Sequence, residues 1–429
     1  MIRLRNATAD TFRSLRNRNF RLFFTGQLVS QTGTWLTMIT QTLLVLRLTR
    51  SGIALGLLTA SQFGPVLLLG AWAGMVADRS DKRRLLLITQ TAAMVESFAL
   101  ALVVFSGQAA VWNIFALAGV QGIITAFDNP ARRAFVVEMV PKDQVANAVS
   151  LNSAVMTGSR VVGPAAAGAL VISVGFGWAF LLDGISYLAV IYGLWAMRPS
   201  ELFSGPRAKR GRGQVREGVR YVFARRDLSV PLVMMTVIGT LAFNFSVTIP
   251  LLVKGPLGGT DGTFTLLFSA VSVGSLIGAL ATARRRTVTG QHLIVAAAGF
   301  GVAMLLLAVS PNLAVAFPVA ALVGLSSIAF MTSSTAIVQV LAAPEYRGRV
   351  LALQAMVFLG STPIGGPLVG WITDRFGSRS GVAVGGIACL AAAAWGWRAF
   401  RRPEPSVDAA TVDAGELDRA TAETVALAR

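Results

Sequence analysis

The chain has 429 residues, 54% of them hydrophobic, and a formal net charge of +18 at pH 7. On a soluble protein so basic a balance would indicate a nucleic-acid partner, but the charge here is confined to short gaps between long apolar stretches, which excludes that reading and makes the lipid bilayer the first partner. The single cysteine, Cys389, excludes an intramolecular disulfide and a cysteine-based metal site, and four lysines against 34 arginines, with abundant Ala and Gly, fit a GC-rich bacterial genome.

The amino-terminal segment carries Arg3, Arg5, Arg13, Arg16 and Arg18 without an apolar core or a small-residue cleavage site, so it is not read as a cleaved signal peptide. A membrane span needs roughly 20 mainly apolar residues. Twelve such stretches are predicted, near 22–46, 54–77, 85–106, 109–128, 147–172, 176–197, 229–252, 263–283, 289–310, 312–336, 348–372 and 380–399. The gaps after the odd-numbered spans hold only Arg47, Arg50, Lys254, Arg375 and Arg379, while the other gaps and both termini hold nearly all the remaining Lys and Arg. The basic side faces the cytoplasm, so both termini are expected inside. The fold class is therefore an all-α polytopic membrane protein.

The chain repeats itself. Pro141 before the fifth span and Pro344 before the eleventh lie at the same offset as Gly163-Pro164 and Gly366-Pro367 inside them. Two six-helix bundles follow, 1–197 and 229–400, joined by a cytoplasmic basic linker at 198–228 and followed by a disordered cytoplasmic tail at 401–429. The first part of the linker has loop composition. Its second part places Val215, Val219, Val222 and Phe223 at helical spacing with Arg216, Arg220, Arg225 and Arg226 around them, which predicts an amphipathic helix on the inner membrane face. A solvated connector helix is the alternative.

The gap after the second span reads Gly74, Asp78, Arg79, Asp81, Lys82, Arg83, Arg84 at a spacing that resembles the signature loop of the major facilitator superfamily, G-x-x-x-D-R-x-G-R-R/K, with Asp81 in place of the second glycine. The layout of spans matches that superfamily over about residues 12–400. The segments at 127–151, 158–168 and 215–228 resemble the exporters related to the enterobactin exporter and the macrolide efflux proteins, and Gly163, Pro164 and Gly168 resemble the fifth-helix motif of drug–proton antiporters. Small residues there allow close helix approach, and Pro164 bends the span. The resemblance implies a major facilitator fold in a bacterial cytoplasmic membrane, multi-pass, working as a monomer by alternating access. It also implies a conformational latch at Gly74, Asp78, Arg79, Arg83 and Asp128, in which Asp78 meets the start of the eleventh helix in the outward-open state. A carboxylate suits that place because a helix amino terminus has unsatisfied N–H groups. The corresponding loop of the second half keeps Arg284, Arg285 and Arg286 without the acid, so only one copy of the latch, that at Asp78, is expected.

Polar residues on span faces indicate what is carried. Gln27, Gln31, Thr34, Met38 and Gln41 fall in a narrow arc of the first span, which lipid could not satisfy. The fourth span presents Gln121, Thr125 and Asp128, the seventh Thr236, Thr240, Phe243 and Asn244, and the tenth Ser327, Phe330, Met331 and Ser334. In the superfamily these four spans line the central cavity, so the resemblance makes Gln31, Thr34, Met38, Gln41, Gln121, Thr125, Phe243, Asn244, Ser327, Phe330, Met331 and Ser334 the expected substrate cavity. The alternative is helix–helix hydrogen bonding. With little fixed charge, the mixture fits an amphipathic or apolar organic solute better than a sugar or a carboxylate.

Charges at membrane depth are Glu96, Arg160 and Asp183, with Asp128 at a span end; each costs at least a few kcal/mol unless paired or wet. Arg160 and Asp183 are expected to form a structural ion pair. The proton-coupling candidates are Glu96, Asp183 and Arg160, with Glu96 first because it has no local partner. Asp128 is expected to pair with an arginine of the signature loop. No lysine follows a glycine, so the phosphate-binding loop of an ATPase is missing, and a sole histidine, His292, leaves no catalytic cluster. No enzyme activity, cofactor or metal is expected. The reading is a secondary active exporter of a drug, siderophore or secondary metabolite by proton antiport; the alternatives are a proton-coupled importer of a small solute and a lysophospholipid or lipid transporter.

Overall fold

The computed structural model describes residues 11–203, 214–283 and 288–401. The linker loop at 204–213, the run Arg284, Arg285 and Arg286, and the expected tail beyond residue 401 lie outside the described residues. The described residues form helices and no strand: α1 (Arg18–Thr49), α2 (Gly52–Arg79), α3 (Lys82–Phe105), α4 (Val111–Glu138), α5 (Val145–Ser173), α6 (Phe176–Trp195), α7 (Gln214–Ala224), α8 (Arg226–Leu241), α9 (Phe245–Lys254), α10 (Asp261–Ala283), α11 (Gly290–Val309), α12 (Leu313–Leu341), α13 (Pro344–Phe376) and α14 (Ser378–Arg401). Among the described residues, eleven segments are long and apolar enough to cross a membrane, with α8 and α9 counted as one. The first expected span, α1, has ample length at 32 residues. It lies outside that set because its glutamines and threonines lower its hydropathy.

Local chemistry marks the helix ends. The side chains of Ser51, Asp81 and Asn312 each accept a hydrogen bond from an early N–H of the helix they precede. Asp81 thus takes the place of the signature glycine as the N-cap of α3. The span expected at 229–252 is not continuous. Its helix stops at Leu241 and restarts at Phe245, with the Asn244 amide donating to the Thr240 carbonyl at 2.7 Å. A Cβ at Gly365 would lie 1.9 Å from that same carbonyl oxygen, so the backbone of α13 occupies the break.

Packing runs in two sets. α1 lies along α5 and α6, α3 along α4 and α6, and α2 along α4; in the later part, α10 and α11 pack on α12, and α8 and α14 on each other, with α13 on α8. The long contacts between the two sets are α2 with α13 and α5 with α10. The linker helix α7 docks one face on α8 and α13: Val222 is fully buried with Leu228, Val338 and Val350, Tyr221 stacks on Tyr346 at 4.2 Å, and Arg349 donates to Glu217 at 2.7 Å. Phe223 is exposed, so the helix keeps a second apolar side uncovered.

Glycine allows the closest crossings. A Cβ at Gly324 of α12 would come 1.8 Å from the Val271 carbonyl of α10, whereas one at Gly119 of α4 would meet nothing within 4 Å. The same substitution therefore acts in opposite directions. Gly324→Ala should destabilise by about 1–3 kcal/mol through overpacking, while Gly119→Ala should leave stability unchanged or raise it by roughly 0.5–1 kcal/mol through helix propensity. Thermal unfolding of the purified protein checks this; equal effects at the two sites would contradict the packing described.

Candidate functional site

Helices α2 and α13 run side by side, yet they touch over only part of their length. Cβ atoms at Gly52 and Gly56 would meet the backbone at Gly370 and Gly366, and Leu67 reaches Gly360. Further along α2, Gly70 and Gly74 have nothing within 4 Å, and neither does Gly348 near the start of α13. The pair is closed at one end and open at the basic end.

Asp374, at the end of α13, fastens the closed end. Its carboxylate accepts from the Ser51 hydroxyl at 2.7 Å, from the Gly52 N–H, and from the Ile53 N–H at 3.0 Å. These are the first N–H groups of α2, which have no partner inside the helix, and a negative charge there is stabilising by about 0.3–2 kcal/mol. The closed end also holds Asp261 of α10 between Lys254, at 2.6 Å, and Arg47 of α1, at 3.6 Å. A Cβ at Gly168 of α5 would collide with Thr265 of α10.

A buried polar network fills the interior of the first helix set. Asp128 is ion-paired to Arg132 one turn along α4, and also accepts from Thr89 at 2.9 Å and Gln90 at 2.8 Å. Arg132 donates to Gln27 at 2.8 Å, and the Gln31 amide is oriented with its oxygen toward the same guanidinium. Thr34 meets the Tyr187 hydroxyl at 3.3 Å, and Gln41 accepts from Gln62 at 2.7 Å. Asp183 accepts from Thr37 at 2.6 Å and Ser97 at 2.9 Å. Glu96 is buried, its carboxylate oxygens have no hydrogen-bond partner among the described residues, and its chain neighbour Ser97 donates to Asp183.

The expected cavity residues divide into two groups. Gln31, Gln41, Asn244, Ser327, Phe330 and Ser334 are buried in helix contacts, Ser334 accepting from Gln354 at 2.8 Å. Thr34, Met38, Gln121, Thr125, Phe243 and Met331 are part-exposed. Gln31, Thr34, Gln121 and Thr125 do come together, with Gln90, Asp128, Arg132 and Tyr187, around a polar cavity of about 70 Å³. That has room for about two waters at ≈ 30 Å³ each and is far below the ≈ 300–1,000 Å³ of a ligand pocket. Larger spaces lie elsewhere: about 670 Å³ along α3 and α4, lined by Thr91, Glu96, Ala99 and Leu117, and about 530 Å³ beside α8 and α14, lined by Phe223, Arg226 and Trp395.

Three expectations are corrected. Arg160 does not pair with Asp183, whose carboxylate is met by hydroxyls; the guanidinium lies 5.5 Å from the centre of the Trp35 ring. Asp128 pairs within its own helix, while Arg83 of the signature loop donates to the Leu194 and Trp195 carbonyls at the end of α6, at 2.7 and 3.0 Å. The one-latch expectation looked for a second copy in the wrong gap. Gly370, Asp374, Arg375 and Gly377 stand at the same G-x-x-x-D-R-x-G spacing as the signature loop, at the opposite end of the helix pair. Gly377 has φ +93°, the conformation that glycine permits there. Of the fifth-helix motif, Gly163 packs on Trp35 and Thr32, and Gly168 on Thr265.

Over residues 9–424 the chain matches the family model described as transmembrane secretion effector. It is 24% identical to the staphyloferrin A transporter of Staphylococcus aureus over 373 residues, covering 86% of this chain and 93% of that one. It is 25% identical to macrolide efflux protein A of Streptococcus pyogenes over 358 residues, 80% of this chain and 87% of that one. The fold is similar to that of a bacterial homologue of the human lysosomal transporter Spinster, solved inward-facing and unoccupied, with a TM-score of 0.72, 15% identity and coverage of 90% and 98%. A D-xylose–proton symporter gives 0.70, 14%, 90% and 97%.

Two outcomes follow from the geometry. Asp128→Asn strands the buried Arg132 and should cost about 3–5 kcal/mol, much of it recovered by adding Arg132→Gln; a double variant no better than the single would show that the pair is not the reason. Asp374→Ala removes the cap of α2 and should lower amide-exchange protection around Gly52 and Ile53 by about 0.5–2 kcal/mol. Unchanged exchange in that peptide contradicts the cap.

Proposed function

The chain belongs to the transmembrane secretion effector family of the major facilitator superfamily, and we propose that it exports an amphipathic organic solute across a bacterial cytoplasmic membrane by proton antiport. The observation that carries the reading is the one-ended closure of α2 on α13. An alternating-access carrier needs two helix sets joined by contacts that can open at either end. On this reading twelve spans, with α8 and α9 as one broken span, form two six-helix bundles at 1–197 and 229–400, both termini are cytoplasmic, and the open end faces the cytoplasm. The functional unit is a monomer. A relative named for macrolide efflux supports outward movement, and one named as a staphyloferrin A transporter supports an organic solute.

The two ends of the helix pair then act reciprocally. Asp374, from the carboxyl end of α13, caps the amino end of α2 and closes the outside. Asp78, from the carboxyl end of α2, takes the same place on the amino end of α13 when the inside closes. That amino end is suited to it, because its N-cap position is Ala343, which supplies no side-chain hydrogen bond. Each cap is worth only a kcal/mol or two, so neither traps the carrier.

Coupling is assigned to Glu96 and Asp183 together. Glu96 adjoins Ser97, which donates to Asp183, so a proton can be held between the two carboxylates. Tyr187, one turn along α6 from Asp183, and Thr34 line the water-sized cavity with Asp128 and Arg132. Asp183→Asn leaves no arginine stranded, so it should fold, and it should lose coupling as Glu96→Gln does.

Inside-out vesicles with an acidic interior test this. They should accumulate an amphipathic fluorescent dye, with gradient-driven accumulation falling about tenfold or more in either variant while counterflow exchange persists. Accumulation that survives loss of both carboxylates removes the pair from the mechanism, and release in place of accumulation would turn the carrier into an importer.

A further inference from the structure

Arg160 is the one charge at membrane depth that the transport reading leaves without a task. It stands near the middle of the 29-residue α5, and among the described residues no group hydrogen-bonds to its guanidinium. A cation at membrane depth without a counter-charge is costly and marks a functional position by default. The acids of the neighbouring helices are already engaged: Asp128 with Arg132, Asp183 with hydroxyls, and Asp261 with Lys254 and Arg47.

One stripe of α5 shows where the guanidinium stands. Val149, Ser153, Met156, Arg160, Pro164, Ala167 and Val171 recur at three- and four-residue steps and so share a helix face. At the basic end of this stripe Val149 and Met156 are 43% and 39% exposed, whereas at the other end Ala167 and Val171 are 0% and 7% exposed. Along that buried part, α5 packs on α10. A lipid-facing stripe would stay open along its whole length. This one opens at one end only, so it faces the cleft between the helix sets, and Arg160 is where the cleft closes. On α1, Leu28 is exposed and Thr32 and Trp35 are part-exposed on a single face that leads to the same point. There the Trp35 ring lies 5.5 Å from the guanidinium and 6.5 Å from the Phe268 ring of α10.

We infer that Arg160, with Trp35 and Phe268, forms the anion-recognising end of the transport cleft, and that the carried solute is an amphipathic organic acid. The guanidinium fork binds a carboxylate, sulfonate or phosphate in two parallel hydrogen bonds, and the two rings take the apolar body. The cation also favours closure behind the solute, since the anion supplies the missing counter-charge at the point where α5 meets α10. This inference rests on the transport reading of the cleft and narrows its substrate class.

The test uses the purified full-length protein and a matched set of probes with one aromatic body: 2-naphthoate, 2-naphthalenesulfonate, 2-naphthalenemethanol and 2-naphthylmethylammonium. Binding is read by thermal stabilisation across a concentration series. The two anions should bind the parent protein, Arg160→Gln should weaken them by about tenfold or more, and Arg160→Lys should recover part of the loss. Without probe, Arg160→Gln should melt no lower than the parent, because it removes an uncompensated charge; a lower melting point would mark a structural role. The inference is overturned if neither anion binds the parent, or if the anions bind Arg160→Gln as tightly. Saturable binding of the alcohol or the ammonium compound alone would overturn the anion assignment while leaving the transport reading intact.

Discussion

The N–H groups at the start of a helix need acceptors, and in this protein one helix set meets that need with a carboxylate from the other. Asp374 reaches from the end of α13 to Ser51, Gly52 and Ile53 at the start of α2. The contact is electrostatic, short-ranged and limited to the first turn. The glycines that follow it, Gly52 and Gly56 against Gly370 and Gly366, bring the backbones together without side chains in the way. Close packing of small residues supplies van der Waals contact but little specificity in a membrane. The carboxylate supplies the register. Separation at the far end, around Gly70, Gly74 and Gly348, is then the geometric result of two stiff helices pinned at one end.

Charge placement follows a related rule. Inside hydrocarbon a charge persists only with a partner, a set of hydrogen bonds, or water. Asp128 and Arg132 satisfy each other and are surrounded by Thr89, Gln90 and Gln27. Asp183 has Thr37 and Ser97. Glu96 and Arg160 have neither, and they lie on different faces of the structure: one beside a second carboxylate within the first helix set, the other at the closed end of the cleft. The unsatisfied groups are thus an acid that can take a proton and a cation that can hold an anion.

Eleven of the twelve expected spans were legible in the sequence because apolar length is a local property, but their ends were less so, α4 running on to Glu138 where 128 was expected. The arginine asymmetry and the signature loop at Gly74–Asp78 were legible for the same reason. The break at Ala242–Asn244 was not, since it is made by Gly365 of α13, more than a hundred residues away. Nor could sequence show that Gln31 and Gln41 bond within the helix bundle, because a polar stripe looks the same whether it faces water or another helix. The Arg160–Asp183 pair was a reasonable expectation from depth alone and failed on direction, as the two side chains point to different neighbours. Arg132 was hidden by its position just past the predicted span end, where an arginine reads as a loop charge. Asp374 was within reach: it repeats the spacing of Asp78 with Gly370, Arg375 and Gly377, but in a gap where the pseudo-repeat gave no reason to look.

The account stands on reciprocity between the two ends of α2 and α13, which distance measurements test directly. In a Cys389→Ser background, one label pair at Ser80 and Arg347 reports the basic end, and another at Ser106 and Gly258 reports the opposite end. Pulsed electron spin resonance in lipid should give a long first distance and a short second one at rest. Acidification or addition of a bound solute should shorten the first and lengthen the second in the same molecules. Distances that change together, or do not change under any condition, would contradict an alternating mechanism.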